Sequence, residues 1–515
     1  MSTQGSHPPR IAVLDFGTGG GKCVIFDLQG RRLARVRHPW RFHSAPSSHE
    51  ELTPGFAFAP EVMWTTLARC TREAIESAAL RPEDIVAVTT TSLRLGTVFL
   101  GNQKQEVYCA PNLDGRGFAG ALELLQSLTR EEIIGTTGHW PPFLSSAARL
   151  IAYQQDTTAE TVAHVLSLND WLGYRLTGEI HSERSNAGES FLLDITRAQW
   201  SPALRKAASI PASAMPEILP NGARLGTVQE AVAREAGLAP GTPVFMGGAD
   251  TQCALLGSGT TAASEIAIVL GTTTPVMGIL ETPQIDPDGK VWTGCHVLEN
   301  RWTLESNVGE TGSSWDWLLS LLGISGTDRF TIAEDLMAAT ARTPDDSGSV
   351  VSFAHPQVFD LDQYNPHRMI GFGFRRSAFR KQLGPDRGQV LRAFVRNLAF
   401  AIRGNLEQLQ DRLPTPPNVC HLSGGMSGSL ALQAEIARTL DIPLRLSAEP
   451  EATALGAAIL ASVGGGWHAS PTAAVQEMVR LKEIPGAPEF KDDYDRHYAD
   501  WQAIFATSKQ ISFQS

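Results

Sequence analysis

Apolar residues near the start of the chain fall in three short runs, 11–14, 24–26 and 33–36, each bounded by glycine or charge. Runs this short, parted by turn residues, predict three successive strands joined by hairpins. A loop rich in Ser, Pro and His follows over 41–60. Residues 61–79 then carry Met63, Leu67, Cys70, Ala74 and Ala78 at spacings of four, three, four and four, the single buried stripe of a helix. The β-branched run 85–91 predicts a further strand, which leads into Ser92, Leu93, Arg94, Leu95 and Gly96.

Strand, strand, strand, helix, strand is the order of a ribonuclease-H-like half, as in actin-like ATPases. Residues 100–245 read as mixed helix and loop. A Pro/Gly cluster at 239–243 leads into a strand at 244–246 and then Gly247, Gly248, Ala249 and Asp250, so a boundary is expected here, with domains 1–247 and 248–515. The second half opens on a strand at 266–270 and a turn Gly271, Thr272, Thr273, Thr274 that echoes Gly17 and Thr18, a weak internal repeat. Farther on, a strand at 419–422 meets a glycine turn at 423–428 and a helix at 430–440. Residues 451–458 form a small-residue helix suited to tight packing. From 464 onward the closing segment is expected to be helical and peripheral. The expected fold class is therefore α/β, with two ribonuclease-H-like domains.

Composition narrows the function classes. A chain of 515 residues exceeds what one hydrophobic core supports, roughly 250–300 residues. Apolar content of 42% and charge of 19% suit a soluble globular enzyme. The net charge of −11 spreads without basic runs, which argues against nucleic acid and anionic membrane as partners. No stretch reaches 18 apolar residues, and positions 1–10 lack a hydrophobic region, so no membrane span or secretory leader is expected. Six cysteines stand far apart with no C-x-x-C pair, as reduced and mostly buried thiols would. Together these give a cytoplasmic expectation.

The chemistry starts at the first turn. An apolar strand ends at Asp15, and Gly17, Thr18 and Gly19 turn the chain before Lys22 opens the next strand. Backbone N–H groups in so bare a turn can face an anion. Asp15 at its lip suits Mg²⁺, a hard cation that takes carboxylate, water and phosphate oxygens. The turn is neither a P-loop nor a dinucleotide fingerprint, because Phe16 stands at the first P-loop glycine, Cys23 follows the lysine and a strand follows the turn. Turns at Gly271, Thr272 and Thr273 and at Gly424, Gly425 and Met426 each follow a strand as well. The first two turns suit phosphates; the third opens onto a helix and suits the adenosine side. Each turn alone also reads as plain structure, and Asp250 also reads as a helix N-cap.

Taken together, these segments resemble the FGGY carbohydrate kinases. D-F-G-T-G-G-G-K at 15–22 resembles that family's first phosphate motif, G-G-A-D-T-Q at 247–252 its catalytic-aspartate segment, and L-G-T-T-T at 270–274 its second phosphate motif. H-L-S-G-G-M-S-G-S-L at 421–430 and E-A-T-A-L-G-A-A at 451–458 resemble its C-terminal signature and adenosine loop. The resemblance implies two actin-like domains with a central cleft, sugar on the N-terminal side and MgATP on the C-terminal side. It makes Asp250 the catalytic base and, with Asp15, a carboxylate toward Mg²⁺.

On the substrate side, the histidine of xylulokinases and the acid of glycerol kinases are missing from 91–96, and Arg94 remains, able to donate in a planar fork or to act as a surface ion-pair partner. Asn112 and Asp114, in a segment similar to the family's W-x-D-x-R, are expected to take sugar hydroxyls. The resemblance implies an ATP-dependent kinase acting on a primary hydroxyl of a xylulose-type pentulose or of an autoinducer-2-type dihydroxypentanedione. Leu95 departs from the glutamate that autoinducer kinases tend to carry. Trp315 and Trp317 either line the cleft or fill a core helix. Two rivals are an actin/Hsp70-type ATPase and a kinase-derived sugar-responsive regulator. The sequence does not set the oligomeric state, and a homodimer stays open.

Overall fold

Residues 11–16 are all buried, apolar and polar alike, because their strand lies inside a sheet covered on both faces. The computed structural model describes residues 8–47, 53–340, 350–354, 356–360, 371–374 and 386–510. Most of positions 1–10 fall outside these, as do residues 48–52 of the expected loop. Beside that gap, His43–Ala45 pairs with Gly55–Ala57. By contacts the chain forms two units interleaved in sequence. One comprises Met1–Thr261, Ile279–Thr303 and Glu451–Arg480; the other comprises Ala262–Gly278, Leu304–Pro450 and Leu481–Ser515. The boundary expected after residue 247 is a single cut, whereas this division crosses the chain several times.

In the first unit the sheet runs Arg224–Thr227, Pro243–Ala249, Ile85–Ser92, Arg10–Gly17, Gly20–Asp27, Arg32–Pro39. Arg10–Gly17 pairs antiparallel with Gly20–Asp27 and parallel with Ile85–Ser92. Side chains alternate between faces. Leu14, Phe16, Cys23 and Ile25 pack with Met63, Leu67 and Cys70 of the helix Pro60–Ser77. Ile11, Val13, Val24 and Phe26 pack with Leu455 and Ile459 of the helix Ala452–Gly464.

The sheet of the second unit includes, in order, Trp302–Glu310, Thr273–Leu280, Glu265–Val269, Val419–Ser423, Leu444–Ser447 and Leu481–Ile484. Glu265–Val269 pairs antiparallel with Thr273–Leu280 and parallel with Val419–Ser423. This is the plan of the first unit again: an antiparallel hairpin, then parallel strands, then an antiparallel edge.

Two expectations are corrected. Residues 100–245 are not only helix and loop, since Glu106–Ala110, Thr97–Leu100 and His164–Ser167 form a three-stranded antiparallel sheet. Strands of four or five residues are too short for their alternation to stand out. Nor is the closing helix Lys491–Gln510 peripheral. It buries Tyr494, Tyr498, Trp501 and Phe505. Trp501 Nε1 donates to Asn397 Oδ1 at 2.6 Å and Tyr494 OH to Glu435 Oε2 at 2.8 Å. That stripe is diluted among charged residues. All six cysteines are free and buried, as expected. No described helix is long and apolar enough to cross a membrane.

Candidate active site

Asp15 lies at the end of a strand, and register sets Lys22 directly across from it in the next one. Lys22 Nζ sits 2.8 Å from Asp15 Oδ2 and 2.8 Å from Glu451 Oε2. Glu451 also accepts from Arg35 Nε. Burial opposes the Lys22 ammonium, yet the two carboxylates hold its pKa above that of an ordinary lysine. Lys22, expected to meet phosphate, is therefore engaged by carboxylates on two sides. The glycines of the turn divide by role. A Cβ on Gly20 would lie 2.5 Å from His38 O, and one on Gly21 2.6 Å from the Trp40 ring. Those two are required by packing. Gly19 is exposed, Gly17 and Thr18 are half-buried, and all three remain available to an anion.

Asp250 is the first residue of the helix Asp250–Gly257, with Ala249 at the N-cap, so it does not cap that helix in the usual way. Its placement depends on the glycines before it: a Cβ on Gly247 would lie 1.6 Å from Thr90 O, and one on Gly248 2.6 Å from Val297. Asp250 Oδ1 accepts from Thr251 N at 2.7 Å and Thr251 Oγ1 at 3.0 Å. Oδ2 has no protein partner among the described residues. Burial, reinforced by the charge of Asp15, pushes the Asp250 carboxyl up to about 6, against the pull of Arg94. Two carboxylates that repel each other in this way, only one of them matched by a lysine, suit a divalent cation shared with phosphate oxygens. Among the described residues no cluster of three or more His, Cys, Asp or Glu forms a self-sufficient metal cage.

Arg94 is no surface ion pair. Its NH1 donates to Glu189 Oε1 at 3.1 Å, and Gln252 Nε2 donates to the same oxygen at 3.2 Å. His139 Nε2 stands 3.5 Å from Glu189 Oε2. Burial works against ionised Glu189, but Arg94, His139 and Gln252 hold its carboxyl below the ordinary value. Glu189 and His139 escape the sequence reading, because a buried acid becomes visible only through the partners that fold around it.

Asn112 and Asp114 separate. Asn112 is half-buried and its Oδ1 has no partner. Asp114 has no exposed surface. It accepts from Phe56 N at 3.0 Å, Tyr108 OH at 2.5 Å and Arg116 Nε at 2.8 Å, and Arg149 Nε lies 3.5 Å away. Its carboxylate therefore anchors the turn, and of the two residues Asn112 is the one with an unpaired acceptor.

In the second unit the two remaining turns meet on one cavity of about 870 Å³, lined by Gly271, Thr272, Trp315, Phe330, Gly425 and Met426 among others. The carbonyls of Gly271 and Thr272 are tied to Gly312 N at 3.1 Å and Thr311 N at 2.9 Å, which leaves the Thr272 and Thr273 side chains exposed. Gly424 is required by its φ of +94° and by Leu270 O, which a Cβ would approach to 2.5 Å. Gly425 is exposed with open space about it. Trp315 is buried, 5.5 Å from the Phe394 ring, as a core-helix tryptophan would be, and it also borders this cavity; Trp317 is exposed. The volume lies within the usual ligand range of about 300–1,000 Å³. The remaining part of the expected adenosine segment, 451–458, lies in the first unit, with Glu451 on Lys22.

This two-domain α/β architecture is that of sugar kinases of known structure. The xylulose kinase from Rhodospirillum rubrum superposes with a TM-score of 0.79 at 24% identity, covering 97% of this chain and 98% of that one. The gluconate kinase from Lactobacillus acidophilus gives 0.82 at 16% identity, covering 98% and 99%. The models of the N-terminal and C-terminal domains of the FGGY family of carbohydrate kinases match residues 10–257 and 266–465. The chain belongs to that family and is a carbohydrate kinase with ATP as phosphate donor. Among curated relatives, the autoinducer-2 kinase of Escherichia coli O9:H4 (strain HS) is 30% identical over 96% of this chain and 94% of its own.

Proposed function

We propose that this kinase transfers the γ-phosphate of ATP to a primary hydroxyl of a small open-chain ketose-like substrate, either a xylulose-type pentulose or an autoinducer-2-type dihydroxypentanedione. The relative named autoinducer-2 kinase supports the second substrate; the xylulose kinase structure supports the fold on which either is handled. The first unit is the sugar side and the second the nucleotide side. The cavity bordered by Gly271, Thr272, Gly425 and Met426 takes the nucleotide, with Thr273 toward its phosphates, and the turn at Gly17, Thr18 and Gly19 is the first unit's phosphate-binding turn.

Asp250 carries the reading. Its carboxyl, at about 6, is ionised at neutral pH yet basic enough to take a proton. As the substrate oxygen attacks phosphorus, the hydroxyl proton passes to Asp250, a contribution of ~10²–10⁴-fold for general-base catalysis. Arg94, held by Glu189, favours the ionised base, while Asn112 offers an unpaired acceptor to a hydroxyl. Asp15 and Asp250 would hold Mg²⁺, which when bound neutralises phosphate charge.

The test is an ADP-release screen over pentuloses, hexuloses, polyols, glycerol, gluconate and dihydroxypentanedione. Highest kcat/KM on xylulose or the dione is expected; equal ADP release with and without every sugar would overturn the proposal.

A further inference from the structure

Three acidic residues of the first unit, Asp170, Glu183 and Glu189, are buried, and they are satisfied very unequally. Glu183 is saturated: it accepts from Ser185 N and Oγ at 2.7 and 2.6 Å, Asn186 N and Nδ2 at 3.0 and 2.7 Å, and Asn221 Nδ2 at 2.7 Å. Asp170 has a full complement on Oδ2 only, from Ser182 Oγ at 2.7 Å and Ser167 N at 3.1 Å. Glu189 accepts hydrogen bonds from Arg94 and Gln252 through Oε1, while Oε2 faces His139 Nε2 at 3.5 Å, too long for a good hydrogen bond. Asp170 Oδ1 and Glu189 Oε2 are buried without a hydrogen-bond donor, although each residue is only 2% exposed. An acceptor left bare inside a protein costs roughly 1–3 kcal/mol, more when charged. Two such oxygens on residues that line one cavity call for a donor that the protein chain itself does not provide.

Both residues border the same cavity. Its volume is about 10 Å³, and Ser146, Ser167, Ser182 and Asn186 share its wall. Space for one probe sphere, roughly 10–15 Å³, is what a single buried water needs, together with two to four polar partners. An apolar hole of this size would stay dry; this one mixes apolar side chains such as Leu166, Leu192 and Trp200 with two carboxylates, serine hydroxyls and the Asn186 amide.

We propose that this cavity is a binding site for one ordered water molecule, which donates one hydrogen bond to Asp170 Oδ1 and the other to Glu189 Oε2. Serine hydroxyls or the Asn186 amide supply donors to the water oxygen. The bridge satisfies both bare oxygens and fixes the plane of Glu189. Glu189 is then a positioning residue: its other oxygen holds Arg94 and Gln252, and Gln252 lies two residues beyond Asp250 on the same helix. Burial and the charge of Glu183 push the Asp170 carboxyl up to about 7, and a donor at its bare oxygen works against that shift by favouring the ionised form.

A crystal structure of the full chain at high resolution and neutral pH tests the site directly. One solvent peak within hydrogen-bond distance of both oxygens is expected. An empty cavity overturns the proposal, as do carboxylates turned onto other partners or a peak with the ~2.4 Å oxygen contacts of a metal ion. The positioning role rests on the sugar-kinase reading, and kinetics test it separately. Asp170→Leu, which expels the water, is expected to raise KM for the sugar several-fold while KM for ATP stays unchanged, and Asp170→Asn is expected to restore most of the loss. Equal sugar KM in the Leu variant and the wild type would overturn that role. Should Asp170→Leu fail to fold, the solvent peak still decides the site. Absence of sugar turnover in the wild type would refute the kinase reading without touching the water.

Discussion

In the first unit Asp15, Lys22, Glu451 and Arg35 form a closed run of ion pairs, and Arg94 is shut in with Glu189. In the second unit the equivalent turn leaves Thr272 and Thr273 exposed beside a wide cavity, with Gly425 in open space. The two units share one strand plan and differ in the groups set at the strand ends. One fixes charge in place and the other offers shape. The difference suits a division of labour in which the rigid, charged side handles the proton and the roomy side accepts a nucleotide.

Removing the charge at the heart of the first unit should have the largest effect. Asp250→Asn is expected to lower kcat by ~10²–10⁴-fold with the fold intact, the range for loss of a general base; turnover at the wild-type rate would mean that the proton goes elsewhere. Next comes the packing that carries Asp250. A Cβ on Gly456 would stand 1.9 Å from Cys253 O, between the helices Ala452–Gly464 and Asp250–Gly257. Overpacking typically costs ~1–3 kcal/mol, so Gly456→Ala should melt earlier by calorimetry. The second unit should respond in affinity instead. Gly425→Leu fits the backbone and intrudes on the cavity, so KM for ATP should rise roughly tenfold, about 1.4 kcal/mol, while KM for the sugar stays put. A rise in sugar KM alone would reverse the assignment of the two sides. The smallest effect concerns Arg94, whose cation favours ionised Asp250. Arg94→Met should move the acid limb of the kcat profile to higher pH, by up to about one unit.

Most of the strand plan is legible in the sequence because its apolar runs are bounded by glycine or charge, and the glycine turns mark strand ends correctly at 17, 271 and 424. The short strands of 97–110 and 164–167 are not, because four residues carry too little alternation. The closing helix reads as peripheral because its aromatic stripe is diluted by Lys, Asp and Arg. Of the site, Asp250 and the turns can be read from motif spacing, whereas Glu189 and Asp170 cannot. Their importance lies in burial and in missing partners, which only the folded chain exposes. The same limit explains Asp114, which the motif marks for sugar hydroxyls without showing that Tyr108 and Arg116 take up its carboxylate.

The claim that Asp250 accepts the hydroxyl proton is tested most directly by the rate of phosphoryl transfer in a single turnover, followed against pH with saturating sugar and MgATP. Burial raises this carboxyl, so the base is lost by protonation as pH falls through about 6. The rate should hold level above that value and drop close to tenfold per pH unit below it. A rate that stays level well below pH 5 would contradict the assignment.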